Sequence, residues 1–254
     1  MLPALCGIFQ ATALPACLDV LGEALEQHFQ EAAVVAALMQ ALLAACAVAF
    51  PRLQADLREQ QLLAAAVLGL ADQFAVYAPA ELWTSPLLPP LLQLGCATVG
   101  LREVDPVART LGLLGHVLGT HQRAADEDRL KQVHMDAAHA ALAAQGEALV
   151  QSLLAALCDS CPRHLMRSAA DCLRQTVLHP ALGQQARGWV TAVLASGQLP
   201  GVAEGYLTAD DCSTFASLAL SGSLRGPRFS ALVVDFAQLA RGQNTSDVLL
   251  AYEL

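Results

Sequence analysis

Proline and glycine cut this chain into segments of helix length, and the segments carry very little charge. Residues 32–50 hold a single polar side chain, Gln40, and largely apolar stretches recur after Pro51, Pro86 and Pro106. Apolar residues make up 55% of the chain, mostly Ala and Leu, while aromatics supply only 5%. That mixture favours helices, because Ala and Leu have the highest helix propensities. Val and Ile are too scattered to build a buried sheet. The expected fold class is therefore all-α.

The breaks set the expected elements. Residues 2–11 and 14–29 form one helix pair, with Pro15 in a first turn. Residues 31–50 and 56–77 form a second pair, separated at Pro51. Ser85 followed by Pro86 is an N-cap with a first-turn proline, starting a helix to about Gly100. Asp105 followed by Pro106 repeats the signal and predicts a helix to about Gly119. The acidic run Asp126-Glu127-Asp128 suits a helix N-terminus and predicts a long helix to Cys158, bent at Gly146. Pro162 opens a helix that stops before Pro180. Residues 181–196 form the next, closed by Gly197. A Pro/Gly linker spans 198–206, and two last helices cover 208–221 and 227–241. First helices of successive pairs start near residues 1, 31, 86, 126 and 181. Their spacing is irregular but averages near the ~40–47 residues of HEAT and armadillo units. A compact helical bundle would give the same pairs.

Several function classes are disfavoured. The formal charge of −9 repels phosphate backbones, so no direct nucleic-acid binding is expected. It suits basic protein partners and also serves plain solubility. Residues 32–50 are long enough to span a bilayer. They are rich in Ala, however, and lack aromatic belts and a basic flank. A helix that is apolar all round is equally one buried between other helices, so no membrane insertion is expected. Of the eight cysteines, most sit inside apolar runs, where Cys acts as a small hydrophobe. The N-terminus lacks the basic region of a secretory signal. Free thiols in a reducing compartment follow.

Cys158 and Cys161 have CxxC spacing, but a redox motif needs a βαβ context and zinc needs two more ligands. His164 and Cys172 lie near in sequence, yet packing is the simpler role. His134 and His139 are five residues apart and fall on different helix faces. There is no phosphate-cradling glycine loop, no nucleophile elbow and no paired catalytic carboxylates. Asp210-Asp211 reads as helix N-terminal charge, and Trp83 and Trp189 as packing anchors. The expectation is a non-enzyme without cofactor or metal. One stripe stands out. Arg163, Arg167 and Arg174 have offsets of 0, 4 and 11, which places them within about 40° on one helix face. Such a face could grip an acidic or phosphorylated segment, since Arg binds such groups bidentately. A solvated or salt-bridged face is the bland alternative.

The last fifth of the chain reads LTADDCSTFASLAL, a short basic break, then RFSALVVDFAQLARGQNTSDVLLAYEL. A polar-capped helix leads into an amphipathic one. An aromatic follows Arg228, an Asp-Phe pair sits at Asp235-Phe236, Arg241-Gly242 makes a stop, and a polar tail reaches Tyr252. This resembles the closing segment of the transportin-SR/importin 13 branch of the importin-β (karyopherin) nuclear transport receptors. The segment FAVYAPAELWTSPLLPPLLQLGCATVGLREVDPVARTLGLLGHVLG at 74–119 and the run DEDRLKQVHMDAAHAALAAQGEALVQSLLAALCDSCPRHLM at 126–166 are similar to stretches of the same family, in the same order. The chain is more Ala-rich than the family, and Pro106 replaces a more usual helical residue.

The resemblance implies a HEAT/armadillo-like superhelical solenoid of antiparallel helix pairs, stacked as a right-handed arc. About five hairpins would fill residues 1–200, and capping helices with a polar tail would fill 201–254. It implies the C-terminal third of a nuclear import receptor that shuttles between nucleus and cytoplasm. Cargo proteins would lie on inner helices and phenylalanine-glycine nucleoporins between outer ones. Ran GTPase would act through N-terminal repeats outside this chain. So would the arginine-rich helix with which transportin-SR grips phosphorylated Arg-Ser cargo. A generic HEAT scaffold without a Ran link, a helical redox protein using Cys158 and Cys161, and a membrane protein are the rival readings.

Overall fold

The computed structural model describes residues 2–120 and 130–252. Among them the regular structure is entirely helical, as expected, with no strand. The acidic run Asp126-Glu127-Asp128 lies outside the described residues. The chain divides into two compact units, residues 1–98 with 103–142, and residues 99–102 with 143–254. This is a division by packing, distinct from the expected functional one at residue 200.

The first unit contains α1 (Leu2–Thr12), α2 (Ala16–His28), α3 (Ala32–Ala55), α4 (Gln61–Tyr77), the short α5 (Pro79–Trp83), α6 (Leu88–Thr98) and α7 (Val104–Leu118). Here α1 packs on α2 and α3, α2 on α3 and α4, and α4 on α3, α6 and, most extensively, α7. Helices one apart in sequence touch, and so do α1 and α3, α2 and α4. The contact surfaces combine leucine with alanine. Ala49, Ala64, Ala71 and Ala75 are completely buried. Gly112 on α7 lets the Asp72 carboxylate of α4 lie against its backbone, where a Cβ would press on Oδ2 at 2.9 Å. That carboxylate reaches Nδ1 of His116, one turn further on, at 2.7 Å.

Two sequence expectations change here. Pro51 does not break α3, which continues through it to Ala55. Interior proline costs about 3 kcal/mol. Pro51 itself is exposed, so the carbonyl left without an intrahelical donor can be hydrated. The next turn also buries Leu53. The stop comes at Asp56, whose side chain accepts the Glu59 N–H at 3.1 Å. The second is α5, a single short helix started by Pro79 that buries Trp83.

The second unit holds the C-terminal part of α8 (Gln132–Cys158), a 3₁₀ turn at Arg163–Leu165, α9 (Met166–Val177), α10 (Gly183–Ala195), α11 (Ala209–Leu220), α12 (Gly226–Ala240) and the one-turn α13 (Asp247–Leu250). Here α9 packs on α10 and α12, α11 on α10 and α12, and α13 against both α11 and α12. Gly146 leaves room on α8 for the Trp189 ring of α10, which a Cβ would strike. Phe215 of α11 stacks on Phe236 of α12 with centroids 4.0 Å apart. Residues 198–206 are a folded loop and not a loose linker. Gly201, at φ +91°, lies so close to the Ala240 carbonyl that no side chain fits there, and its own carbonyl accepts from Tyr206 and Leu207 N–H.

Among the described residues two helices, α3 and α8, are long and apolar enough to cross a membrane by length and composition. Each also has packing partners in the fold: the most apolar window is 44% buried in α3 and 56% in α8.

Candidate functional site

The arginine stripe falls in the second unit, and α9 explains its form. Met166, Ala169, Ala170, Leu173 and Val177 are buried along one side of that helix, at the spacing of an amphipathic helix. Arg167, Asp171 and Arg174 therefore share the opposite side, one turn apart. The α-helical phase holds only from Met166 onward. Arg163 lies in the preceding 3₁₀ turn, which winds about 120° per residue instead of 100°. It is exposed, whereas Arg167 and Arg174 line a cleft of ≈ 620 Å³ between α9 and α12. The structure thus brings two of the three arginines together.

The far wall of the cleft is the first half of α12. Gly226, Pro227, Ser230 and Ala231 are all small and leave the space open. Ser230 donates its hydroxyl to Oδ1 of Asp171 across the cleft at 3.0 Å. Arg174 Nε lies 3.8 Å from the same oxygen, with its side chain 28% exposed. Asp235 closes the other end and accepts the Tyr252 hydroxyl at 2.6 Å. Both carboxylates of the cleft are thus engaged within the protein. Arg167 is exposed and makes no ion pair among the described residues. Two arginines offset two carboxylates, so the cleft is charge-balanced and its free cationic end is at Arg167.

Sequence reasoning missed the most heavily bonded side chain of this unit. Arg241 was legible only as a helix stop. Its guanidinium donates to Leu157 O from Nε at 3.1 Å and from Nη2 at 2.8 Å, and to Cys161 O at 3.0 Å. Leu157 O lies in the last turn of α8, where four acceptors lack helical donors and the dipole is negative, and Cys161 O lies in the turn that follows. Nothing in the local sequence could show this, because the partners lie some 80 residues away. The tail is tied down as well. Arg228 donates to Ala251 O at 3.1 Å and sits 5.9 Å from the centre of the Tyr252 ring. Burial, then the hydrogen bond to Asp235, pushes the Tyr252 phenol well above its ordinary value.

The CxxC pair carries no sign of reactivity. Cys158 and Cys161 are 2% and 1% exposed. Burial pushes the Cys158 thiol up to about 12 and the Cys161 thiol up to about 11, the Arg241 charge only partly opposing it. A thiol so raised is a poor nucleophile at neutral pH. Among the described residues no three His, Cys, Asp or Glu side chains are grouped to hold a metal. Trp83 and Trp189 both pack against neighbouring helices.

A second cleft of ≈ 410 Å³ opens between α10, α11 and the 198–206 loop. Leu194, Ala195, Val202, Ala209, Cys212 and Ala216 give it apolar walls. No protein-family model matches this chain, and no curated protein matches it significantly.

Proposed function

We propose that the chain is the C-terminal, cargo-binding part of a transportin-SR/importin 13-type nuclear import receptor, working between cytoplasm and nucleus without enzymatic activity. The observation that carries the reading is the packing of alternate helices. In the first unit contacts run from α1 to α3, from α2 to α4 and, past the short α5, from α4 to α7. Stacked HEAT-like hairpins bring alternate helices together in this way, because each repeat buries its apolar face on the next. Residues 1–200 supply about five such hairpins and 201–254 the cap, held closed by Arg241 and Tyr252. The order of the sequence motifs at 74–119, 126–166 and 207–252 supports the same reading.

In this reading Arg167 and Arg174 hold an acidic or phosphorylated segment of the cargo, such as a phosphorylated Arg-Ser stretch. Arg163 contributes from the turn before. The apolar cleft between α10 and α11 takes aromatic side chains of phenylalanine-glycine nucleoporins. Ran GTPase acts through N-terminal repeats that are not part of this chain. A stack in which each hairpin touches its neighbours can sum small adjustments into a change of curvature, which lets one ligand bias another's site.

Affinity capture tests it. The chain should retain a phosphorylated Arg-Ser peptide and, separately, a phenylalanine-glycine repeat peptide. Charge reversal at Arg167 and Arg174 should abolish the first and spare the second. Retention of neither peptide, or cargo capture indifferent to the reversal, overturns the proposal. Cargo capture without nucleoporin binding favours a HEAT scaffold outside the transport cycle.

A further inference from the structure

In the first unit the turns that join α2 to α3 and α4 to α5 come together around a pocket of ≈ 490 Å³. Phe29 is the C-cap of α2. Tyr77 is the last residue of α4, after which Ala78 leaves helical geometry and Pro79 starts α5. Both rings are half-buried and line the pocket. Their centroids are 5.5 Å apart and their planes tilted by 38°, so they form one aromatic wall. Ala32, Ala78 and Ala80 line it too, and their small side chains leave the space open. A concave site of this size with aromatic walls and a few polar groups has the make-up of a ligand pocket.

The charge around the rings selects the ligand. Glu81 of α5 lines the pocket, is exposed and makes no ion pair among the described residues. The Tyr77 hydroxyl bonds to Glu26, which brings a second carboxylate beside the rings. Glu31, in the α2–α3 turn, pairs with His28 Nδ1 at 2.8 Å. No lysine or arginine occurs from Ala16 to Pro51 or from Glu59 to Leu101. Arg52 and Arg58, the nearest in sequence, stand at the far ends of α3 and α4, roughly 25–30 Å along those helices. The pocket thus has π faces and a carboxylate, and no lysine or arginine of its own to meet them.

We propose that this pocket takes an arginine side chain of a partner protein. The guanidinium plane stacks on the wall made by Phe29 and Tyr77, whose ring faces attract a cation. Its fork of N–H donors meets the Glu81 carboxylate, a two-point contact that a planar guanidinium makes while it stacks. Lysine fits less well, because an ammonium is a point charge and cannot do both at once. The carboxylates also repel a phosphate backbone, which disfavours nucleic acid. The walls are turns, and turns stay at the rim when hairpins stack face to face, so the site needs no free end of the stack. The inference does not depend on the transport reading.

The test uses the full chain with its three tyrosines replaced by 3-fluorotyrosine, and Nα-acetyl-arginine amide as the probe. In fluorine NMR the Tyr77 signal, assigned with Tyr77→Phe, should shift saturably as the probe is added, while the signals of Tyr206 and Tyr252 stay in place. Nα-acetyl-citrulline amide, which has the same shape without the charge, should shift nothing. Nα-acetyl-lysine amide should bind more weakly than the arginine probe. Glu81→Gln should weaken the arginine probe at least about fivefold, and Phe29→Leu at least about threefold. Glu81 is exposed, so that variant keeps its fold, which circular dichroism will verify. A Tyr77 signal that stays still, moves equally with citrulline, or moves in step with Tyr206 and Tyr252 overturns the proposal. So does equal affinity for the lysine probe, or an arginine affinity that Glu81→Gln leaves unchanged.

Discussion

Both units bury leucines and large rings, and they differ in where small residues and polar bridges are used. In the first, alanine and glycine let helices approach closely at points among the leucines and the buried rings of Phe74 and Trp83. Ala64 and Ala71 vanish completely into the interior, and Gly112 admits a carboxylate where a methyl group would not fit. In the second, Phe215 stacks on Phe236, and the Trp189 ring lies on Gly146. Long polar bridges then fix the helix ends: Arg241 to α8, Ser230 to Asp171, Tyr252 to Asp235. Close approach of backbones gains dispersion contacts without side-chain entropy. Rings bury more area for each ordered side chain, and bridges specify which helix end goes where. The lesson is that one Ala/Leu-rich composition supports both strategies, and the rarer residues decide which is used.

That contrast predicts opposite sensitivities. Phe215→Ala removes a fully buried ring and should cost about 3–5 kcal/mol in urea unfolding. Ala71→Leu does the reverse in the first unit, forcing a larger side chain into a site with no spare volume, and should cost about 1–3 kcal/mol. If Ala71→Leu proves neutral, the alanine seams are loosely packed and the comparison fails. Arg241→Met keeps the length of the side chain but strands the α8 carbonyls. It should cost about 1.5–3 kcal/mol, as expected for hydrogen bonds with a charged donor. Arg241→Lys should recover only part of that, because an ammonium cannot reach several carbonyls in one plane.

The buried thiols give a finer probe of the same interior. Burial pushes Cys46, Cys158 and Cys172 up to about 12. In the native protein at neutral pH these thiols should stay silent towards a disulfide reagent and react only once urea unfolds the chain. Rapid native labelling of Cys158 would mean that the Arg241 clamp on α8 opens readily.

How much of this could be read in advance depended on range. Signals that act within a turn were legible. Thr208 caps α11 and Gly197 takes a left-handed conformation after α10, while Asp105 and Pro106 fall inside the first turn of α7, whose N-cap is Glu103. Pro51 misled because local propensity counts only the lost hydrogen bond, while the buried Leu53 beyond it keeps the helix going. The arginine stripe was legible in part, since Arg167 and Arg174 share a cleft and Arg163 lies outside it. The periodicity assumed one α-helix, and a 3₁₀ turn separates Arg163 from the other two. Arg241, Gly146 and Gly201 were opaque for a different reason. Each acts on a partner far along the chain, and a single sequence carries no trace of such pairing.

The smallest effect is expected at the N-terminus of α11, and it can be separated by pH. The Thr208 hydroxyl accepts the Asp211 N–H at 3.1 Å and donates to Oδ2 at 2.6 Å, while the Thr208 N–H donates to the same oxygen at 2.8 Å. Burial alone would raise the Asp211 carboxyl. The hydrogen bonds from Thr208, with one from Ser246, outweigh it and hold the group below its ordinary value. A carboxyl depressed by folding adds stability above its unfolded pKa and loses it as pH falls through the folded one. Thr208→Ala should therefore cost about 1 kcal/mol at neutral pH. The penalty should shrink as acid protonates Asp211, below the usual carboxylate range near pH ~4. Asp211→Asn should show the same convergence, while Ser223→Ala, outside the cap, should track the parent at every pH. A Thr208→Ala deficit that stays constant into acid would show that the cap works through helix geometry alone, without the charge on Asp211.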